Sequence, residues 1–274
     1  MKIAVIGDIH SNLLAFNLAI NDAKKEKVDK FIFLGDYITD GENSNEILNI
    51  VKSLADYAIL GNREKYILNY SPEKKEYNNY KTIANTYNSL KKESIDYINS
   101  LKEFNIIKLN NWKILIIHGD GYSNIIEDID SMFDLIIDKY DFDICLFGHS
   151  HKYLYKKYKD KIFLNPGSIG QPTDYPKYKY CIIELSDEIN VFLREFKVSD
   201  TFAAFETDYK KTNYYKENFV WSNLILNGIR DGKDYCAPFI QLFNEKIELL
   251  GEISANEFNE LWESTYKDFC NIFK

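Results

Sequence analysis

With 274 residues, 45% of them hydrophobic and 28% charged, the chain can bury a sizeable core, which excludes a largely disordered protein. A formal net charge of −8 excludes binding to a nucleic-acid backbone by charge alone, because that needs clustered cations; a small anion held by metal ions stays compatible. The four cysteines, Cys145, Cys181, Cys236 and Cys270, form no Cys-x-x-Cys pair, so they read as free thiols of a reducing compartment and suggest neither a zinc ribbon nor a redox dithiol.

The first apolar run, Ile3-Ala4-Val5-Ile6, is too short for a signal peptide, and no run approaches membrane-spanning length, so a cytoplasmic location and no membrane partner are expected. This run ends in Gly7-Asp8-Ile9-His10. Ser11-Asn12 can cap the helix that follows, whose Leu14, Phe16, Leu18 and Ala19 are expected to face a sheet. A second strand, Phe31-Ile32-Phe33-Leu34, ends in Gly35-Asp36. A helix over about 43–55 and a strand over 57–60 then lead into Gly61-Asn62-Arg63-Glu64.

From about 65 to 104 the chain is polar and helical, with Ile83, Tyr87, Leu90, Ile95, Ile98 and Leu101 at helical spacing. This insertion either walls a substrate pocket or covers the sheet. Aromatic residues in 66–87 are candidates to stack on a nucleobase, against a prevailing expectation that they serve core or interface. Strands are predicted at 106–109 and 112–117, the latter ending in His118-Gly119-Asp120. A helix over about 125–139 and a strand over 143–147 follow, ending in Gly148-His149-Ser150-His151. Hairpins are predicted over 153–164, turning at 159–161, and over 178–196, turning at 186–188. Beyond about residue 198 the pattern is helical. Ser254-Ala255-Asn256-Glu257 has the form of a capping box, with Phe258, Leu261, Thr265, Phe269 and Ile272 as an apolar stripe behind it. The expected organisation is 1–198 as one domain and 199–274 as a docked helical appendage, whose stripe buries against its own core or a second subunit of a homo-oligomer.

All four histidines stand where a short apolar run ends in a glycine or aspartate turn. Such runs read as strands buried on both faces, and groups at the carboxyl ends of neighbouring strands converge on one crevice. Asp8, His10, Asp36, Asn62, His118, His149 and His151 offer carboxylate, imidazole and amide ligands and no thiolate. That set suits Mn²⁺, Fe²⁺ or Zn²⁺ and exceeds what one ion takes from protein, implying two divalent ions. Two ions about 3.5–4 Å apart can bind a phosphoryl group and lower the pKa of a bridging water.

In order, Gly-Asp-Ile-His (7–10), Gly-Asp (35–36), Gly-Asn (61–62), His-Gly (118–119) and Gly-His-Ser-His (148–151) resemble the signature of the calcineurin-like metallophosphoesterases, particularly their small bacterial and archaeal branch. Asn165-Pro-Gly-Ser-Ile-Gly-Gln-Pro172 also looks like that branch; by its own chemistry it reads as a tight turn fixing a strand against the metal loops. The resemblance covers about residues 1–196. It implies an α/β fold of two packed mixed β-sheets flanked by helices, the calcineurin-like four-layer sandwich, here with a helical C-terminal appendage. It further implies that Asp8, His10 and His151 hold one ion, that Asn62, His118 and His149 hold the other, and that Asp36 bridges them.

The chain departs from the family at Arg63, where many members carry a histidine that donates to the leaving oxygen. Arginine does not release its proton near neutral pH, although its fork grips phosphate oxygens. Gly35-Asp36-Tyr37-Ile38-Thr39-Asp40-Gly41 also lacks the aspartate that orients that histidine in protein phosphatases, which argues against a protein Ser/Thr phosphatase. Substrates whose leaving groups need little protonation follow: phosphoanhydrides or activated phosphodiesters. The alternative role for Arg63 is a salt bridge to Glu64 or another neighbour. Asp120 and Tyr122 either touch substrate or are solvated. The expected function is a dinuclear phosphoesterase acting on a small phosphorylated or nucleotide substrate, with dinucleoside polyphosphate as the specific candidate. The rival is a binding protein of the same fold that keeps its metal site for structure.

Overall fold

The computed structural model of the chain describes residues 1–119, 121 and 128–272. Alternation along the first strand sets its architecture. In β1 (Lys2–Ile6) successive side chains point to opposite faces, yet Ile3, Ala4, Val5 and Ile6 are all buried, so both faces must be covered. Ile3 and Val5 pack with Ile114, Ile116, Ile144, Leu146 and Leu164 of a second sheet. Ala4 and Ile6 pack with Phe16, Ala19 and Ile20 of α1 (Leu13–Lys25). Each of the larger of these side chains, the isoleucines, leucines, valine and phenylalanine, contributes about 1.5–3 kcal/mol through burial.

The first sheet runs β10 (Ile189–Lys197), β9 (Lys177–Leu185), β1, β2 (Lys30–Phe33), β3 (Tyr57–Ala58). β1, β2 and β3 are parallel, whereas β9 lies antiparallel to β1 with Ile183 opposite Ile3. The second sheet runs β4 (Phe104–Leu109), β5 (Trp112–Ile117), β6 (Ile144–Leu146), β8 (Lys161–Pro166), β7 (Tyr153–Tyr158), with β5, β6 and β8 parallel and both edge strands antiparallel. Its outer face, through Leu115, Ile117, Cys145 and Phe163, packs on Phe133 and Ile136 of α6 (Ile129–Lys139). Helix, sheet, sheet, helix is the expected four-layer sandwich of two mixed sheets.

The predicted elements appear with small changes of boundary, except that positions 125–127 of the helix expected over about 125–139 lie outside the described residues. Asn12 caps α1 as expected, its side chain accepting from Ala15 N–H at 3.2 Å. The inward stripe is then Ala15, Phe16, Ala19, Ile20 and Ala23, and this phase turns Leu14 outward, 39% exposed. Two of the helix positions assigned to the sheet, Leu14 and Leu18, are therefore off the buried stripe. α2 (Ser44–Leu54) and α3 (Asn62–Leu68) complete the strand–turn–helix repeats. In the insertion, α4 (Lys81–Ser89) and α5 (Lys92–Ser100) bury Ile83 and Ile98, and the turn between them buries Leu90, in the same core as α1, so these helices cover the first sheet.

The C-terminal region forms α7 (Phe202–Lys211), α8 (Asn213–Glu217), α9 (Phe219–Asp231), α10 (Cys236–Leu250) and α11 (Ala255–Ile272). Phe205, Tyr209, Tyr214, Ile225, Leu226 and Ile229 extend the α1-side core, while Phe239, Phe243, Phe258, Trp262 and Phe269 make a core of their own. The capping box forms: Ser254 N–H donates to Glu257 Oε2 at 2.8 Å and Glu257 N–H to Ser254 Oγ at 3.4 Å. The stripe behind it runs Phe258, Trp262, Thr265, Phe269. Trp262 replaces Leu261 as the buried residue of its turn, and Ile272 is exposed. The insertion leans on this region: Asn78 N–H donates to Asn259 Oδ1 at 2.8 Å, and Tyr77 meets Phe258 edge-on. No described helix is long and apolar enough to cross a membrane.

Candidate metal centre

The carboxyl ends of β1, β2, β3, β5 and β6 open on one crevice, and each delivers its turn there. The turns are built from backbone that side chains resist. Asp8, His10, Asp36, His149 and His151 all have positive φ, between 46° and 69°. A non-glycine residue held there costs about 1–2 kcal/mol, so surrounding bonds must impose it. Ile9 and His10 N–H both donate to the Asp36 carbonyl, at 2.8 and 3.0 Å, and Gly170 N–H donates to the Asp8 carbonyl at 2.9 Å. Gly61 has no alternative: a Cβ there would lie 2.2 Å from Asp36 Oδ1.

Those turns bring all seven residues of the sequence-derived set together. His10 Nε2 lies 3.1 Å from His151 Nε2 and 3.7 Å from Asp36 Oδ2, and His151 Nε2 lies 3.5 Å from Asp8 Oδ1. On the other side, His118 Nε2 and His149 Nδ1 each lie 3.0 Å from Asn62 Oδ1, and His118 Nε2 is 3.4 Å from Asp36 Oδ1. Two groups have donors close enough to share an ion: Asp8 with His10 and His151, and Asp8 with Asp36 and His118. The outer ring atoms are engaged elsewhere. Nδ1–H of His118 donates to the Leu34 carbonyl at 2.8 Å and Nδ1–H of His151 to the Gln171 carbonyl at 2.7 Å, which turns both Nε2 atoms toward the cluster.

The charge balance fits cations at this place. Burial pushes the Asp8 carboxyl up to about 6, with Asp36 adding to the rise against His118 and His10. Burial also acts to raise Asp36, but His118, His10 and Arg63 outweigh it and hold that carboxyl far below its usual range. Burial alone would lower His118; Asp36 and Asp8 lift it to about 10. Buried carboxylates are thus drawing protons onto a neighbouring imidazole. Imidazole nitrogens and carboxylate oxygens packed this closely, with a proton drawn onto His118 to balance the buried charge, are a donor set that divalent ions complete by displacing that proton.

Arg63 does not pair with Glu64. Its Nη2 lies 3.7 Å from Asp40 Oδ2 and its Nε 4.0 Å from Asp36 Oδ2, and the side chain keeps 20% of its surface exposed. Glu64 is fully buried and faces the backbone instead: Oε2 accepts the N–H groups of Asp36 and Gly61, both at 2.8 Å, and Oε1 those of Tyr37 at 2.8 Å and Ile38 at 3.3 Å. The segment 165–172 behaves as the predicted brace. Asn165 Nδ2 donates to the Gly148 carbonyl at 2.7 Å, and Ser168 Oγ to the Asp8 carbonyl at 2.8 Å. Two supports escaped the sequence reading. Asp40 lies 3.2 Å from His10 Nδ1, and Trp221 Nε1 donates to Asp40 Oδ1 at 2.8 Å. The signal for Asp40 was its place in the Gly35–Gly41 turn; nothing in the sequence marks Trp221. Asp120 and Tyr122 lie outside the described residues.

A recess of about 290 Å³ opens over Arg63, His149 and His151, and its far side is formed by Leu224, Ile229 and Tyr235 of the C-terminal region. A larger one, about 450 Å³, adjoins His118 between Phe104 and Tyr140 but does not expose Arg63 or His149. No described residue of 66–87 lines either. Tyr70 stacks on Tyr80 and Tyr87, so a nucleobase platform from those aromatics has no support in the geometry.

The family model for the calcineurin-like phosphoesterase superfamily domain matches residues 1–188. An uncharacterized protein of Methanocaldococcus jannaschii, MJ0912, is 29% identical over 222 residues, which span 73% of this chain and 90% of its own. Among solved structures, a metallophosphoesterase from Sphaerobacter thermophilus is 25% identical with a TM-score of 0.61, over 76% of this chain and 94% of the other. The hypothetical protein PH1004 of Pyrococcus horikoshii superposes with a TM-score of 0.64 at 17% identity, over 84% of this chain and 98% of its own, a likeness of fold.

Proposed function

Since the chain belongs to the calcineurin-like phosphoesterase superfamily, we propose that it is a metal-dependent hydrolase of a small phosphodiester or phosphoanhydride, with a dinucleoside polyphosphate as the specific candidate. The observation that carries this reading is the convergence of the seven ligand-type side chains on one crevice, beside an arginine that lines the adjoining recess. Asp8, His10 and His151 would hold one divalent ion, Asn62, His118 and His149 a second, with Asp36 shared between them; Mn, Fe or Zn suits these donors. Bound there, the ions supply Lewis acidity and a water of lowered pKa.

The rest falls to the chain. The Leu34 and Gln171 carbonyls fix two imidazole tautomers, and the Glu64 carboxylate fixes the backbone that carries Asp36. Arg63 holds the anionic substrate. Burial acts to lower its pKa, but Asp40 and Asp36 raise it further, so it keeps its proton throughout the physiological range and cannot serve as the acid that protonates a leaving group. Anhydrides and activated diesters, whose leaving groups depart with little protonation, are therefore preferred over alkyl monoesters.

The same replacement of a proton donor by Arg63 is the one feature favouring the rival, a binding protein with a structural metal site. Metal-stripped protein supplied with Mn²⁺ and assayed with diadenosine tetraphosphate, bis-p-nitrophenyl phosphate and an alkyl monoester separates the two. Turnover of the first or second, abolished in Asp36→Asn, supports the hydrolase. Metal binding with no turnover under any divalent ion supports the rival.

A further inference from the structure

We propose that Trp221, on α9 of the C-terminal region, is a positioning residue of this site: by occupying Asp40 it keeps the Arg63 guanidinium available to an anion in the recess. The inference rests on Arg63 being the anion grip.

Asp40 is the hub. Its carboxylate is buried, and its Oδ1 accepts the Trp221 indole N–H at 2.8 Å. Its Oδ2 accepts Gln171 Nε2 at 3.0 Å and lies 3.2 Å from His10 Nδ1. Its own N–H donates to the Tyr214 hydroxyl at 2.9 Å, which helps to impose a φ of 62°. Two helices of the C-terminal region, α8 and α9, thus reach the same residue.

The consequence shows in Arg63. A guanidinium beside two buried carboxylates ordinarily closes onto one of them through two short parallel hydrogen bonds. Among the described residues the nearest carboxylate approaches are 3.7 Å to Asp40 and 4.0 Å to Asp36, and Nε is buried with no hydrogen-bond partner. The Asp40 oxygen that would complete a fork is taken by Trp221. The indole also borders the cation itself, with Arg63 Cζ 5.9 Å from the ring centroid, within cation–π range. Arg63 is therefore attracted into the crevice but left with donors to spare. Because α9 is anchored in the main core through Ile225, Leu226 and Ile229, the indole is presented by a fixed surface.

Calorimetric binding of inorganic phosphate to the Mn²⁺-loaded full chain tests this, with Mn²⁺ affinity measured in parallel. Trp221→Phe keeps a ring beside Arg63 and loses the donor; Trp221→Leu loses both. Phosphate affinity is expected to fall about threefold to tenfold in the first, the size of one net hydrogen bond, and more than about tenfold in the second. Mn²⁺ affinity should stay within about twofold of the unaltered chain, since no proposed metal ligand is removed. On any substrate turned over, KM should rise more than kcat falls. The inference is overturned if Trp221→Leu binds phosphate as tightly as the unaltered chain, if phosphate and Mn²⁺ affinity fall together in Trp221→Phe, or if Arg63→Ala leaves phosphate affinity unchanged. If the unaltered chain hydrolyses nothing but phosphate affinity still separates the variants, the hydrolase reading fails and the role of Trp221 stands.

Discussion

Replacing Glu64 by glutamine changes one oxygen to nitrogen and should nonetheless cost a large part of the protein's stability. Both carboxylate oxygens act as acceptors, Oε2 from Asp36 and Gly61 N–H and Oε1 from Tyr37 and Ile38 N–H, in a site with no exposed surface. A glutamine amide keeps one acceptor and turns a donor toward the other pair. Two buried N–H groups then lose their partner at about 1–3 kcal/mol each, and partial relaxation brings the expected loss to about 2–4 kcal/mol. Against a total of about 5–15 kcal/mol for a folded domain, that is a shift easily read in urea. The assay is equilibrium unfolding followed by tryptophan fluorescence, scored by the midpoint with the slope unchanged, alongside Mn²⁺ affinity, which should fall because Asp36 N–H is one of the groups released. A loss below about 0.5 kcal/mol, the range of an ordinary surface change, would refute the reasoning.

Gly61→Ala would force a methyl group to within 2.2 Å of Asp36 Oδ1, so Mn²⁺ binding should drop by more than about tenfold while far-ultraviolet circular dichroism stays native; unchanged metal affinity would count against Asp36 as a shared ligand. Trp262→Ala removes the centre of the α10–α11 core, where the indole meets Phe239 at 4.7 Å and Phe243 at 4.9 Å between ring centroids, and should cost about 3–5 kcal/mol by thermal or urea unfolding. Asp22 accepts two hydrogen bonds from Arg194, both 2.8 Å, and one from the Tyr180 hydroxyl, 2.6 Å; the Arg194 bonds lead in holding its carboxyl below the usual 3.8. A depressed folded value stabilises above the unfolded one and is lost as pH falls through the folded one. Asp22→Asn should therefore be less stable by about 1–2 kcal/mol at neutral pH, discounted for partial exposure, with the gap closing as the pH drops below 3.8.

Much of the site could be read from the chain because its grammar is local. Each ligand follows directly on a buried strand, and a strand covered on both faces shows as an unbroken apolar run closed by glycine. The helix faces were less legible. Leu14 and Ala15 differ by 100° around α1, and which of them turns inward depends on how the helix lies against the sheet, where Phe16, Ala19 and Ile20 are also buried. In α11 the choice between Leu261 and Trp262 depends on where α10 lies, which no spacing within α11 specifies. Least legible was the tie between Asp40 and Trp221, 181 positions apart, because a tryptophan in an amphipathic helix gives no sign that its N–H serves a distant carboxylate.

The placement of β9 also governs the order in which the protein can be made. β1, which carries Asp8 and His10, is flanked on one side by β2, available almost at once, and on the other by β9, whose Glu184 stands opposite Lys2. During synthesis one edge of β1 must wait bare for some 180 residues, a long loop to close and an exposed template for pairing with other chains. The earliest ligands to leave the ribosome are thus among the last to be fixed in place. A chain that stops short of β9 already carries all seven ligand-type residues, from Asp8 to His151, yet leaves one edge of the strand that bears Asp8 and His10 unpaired.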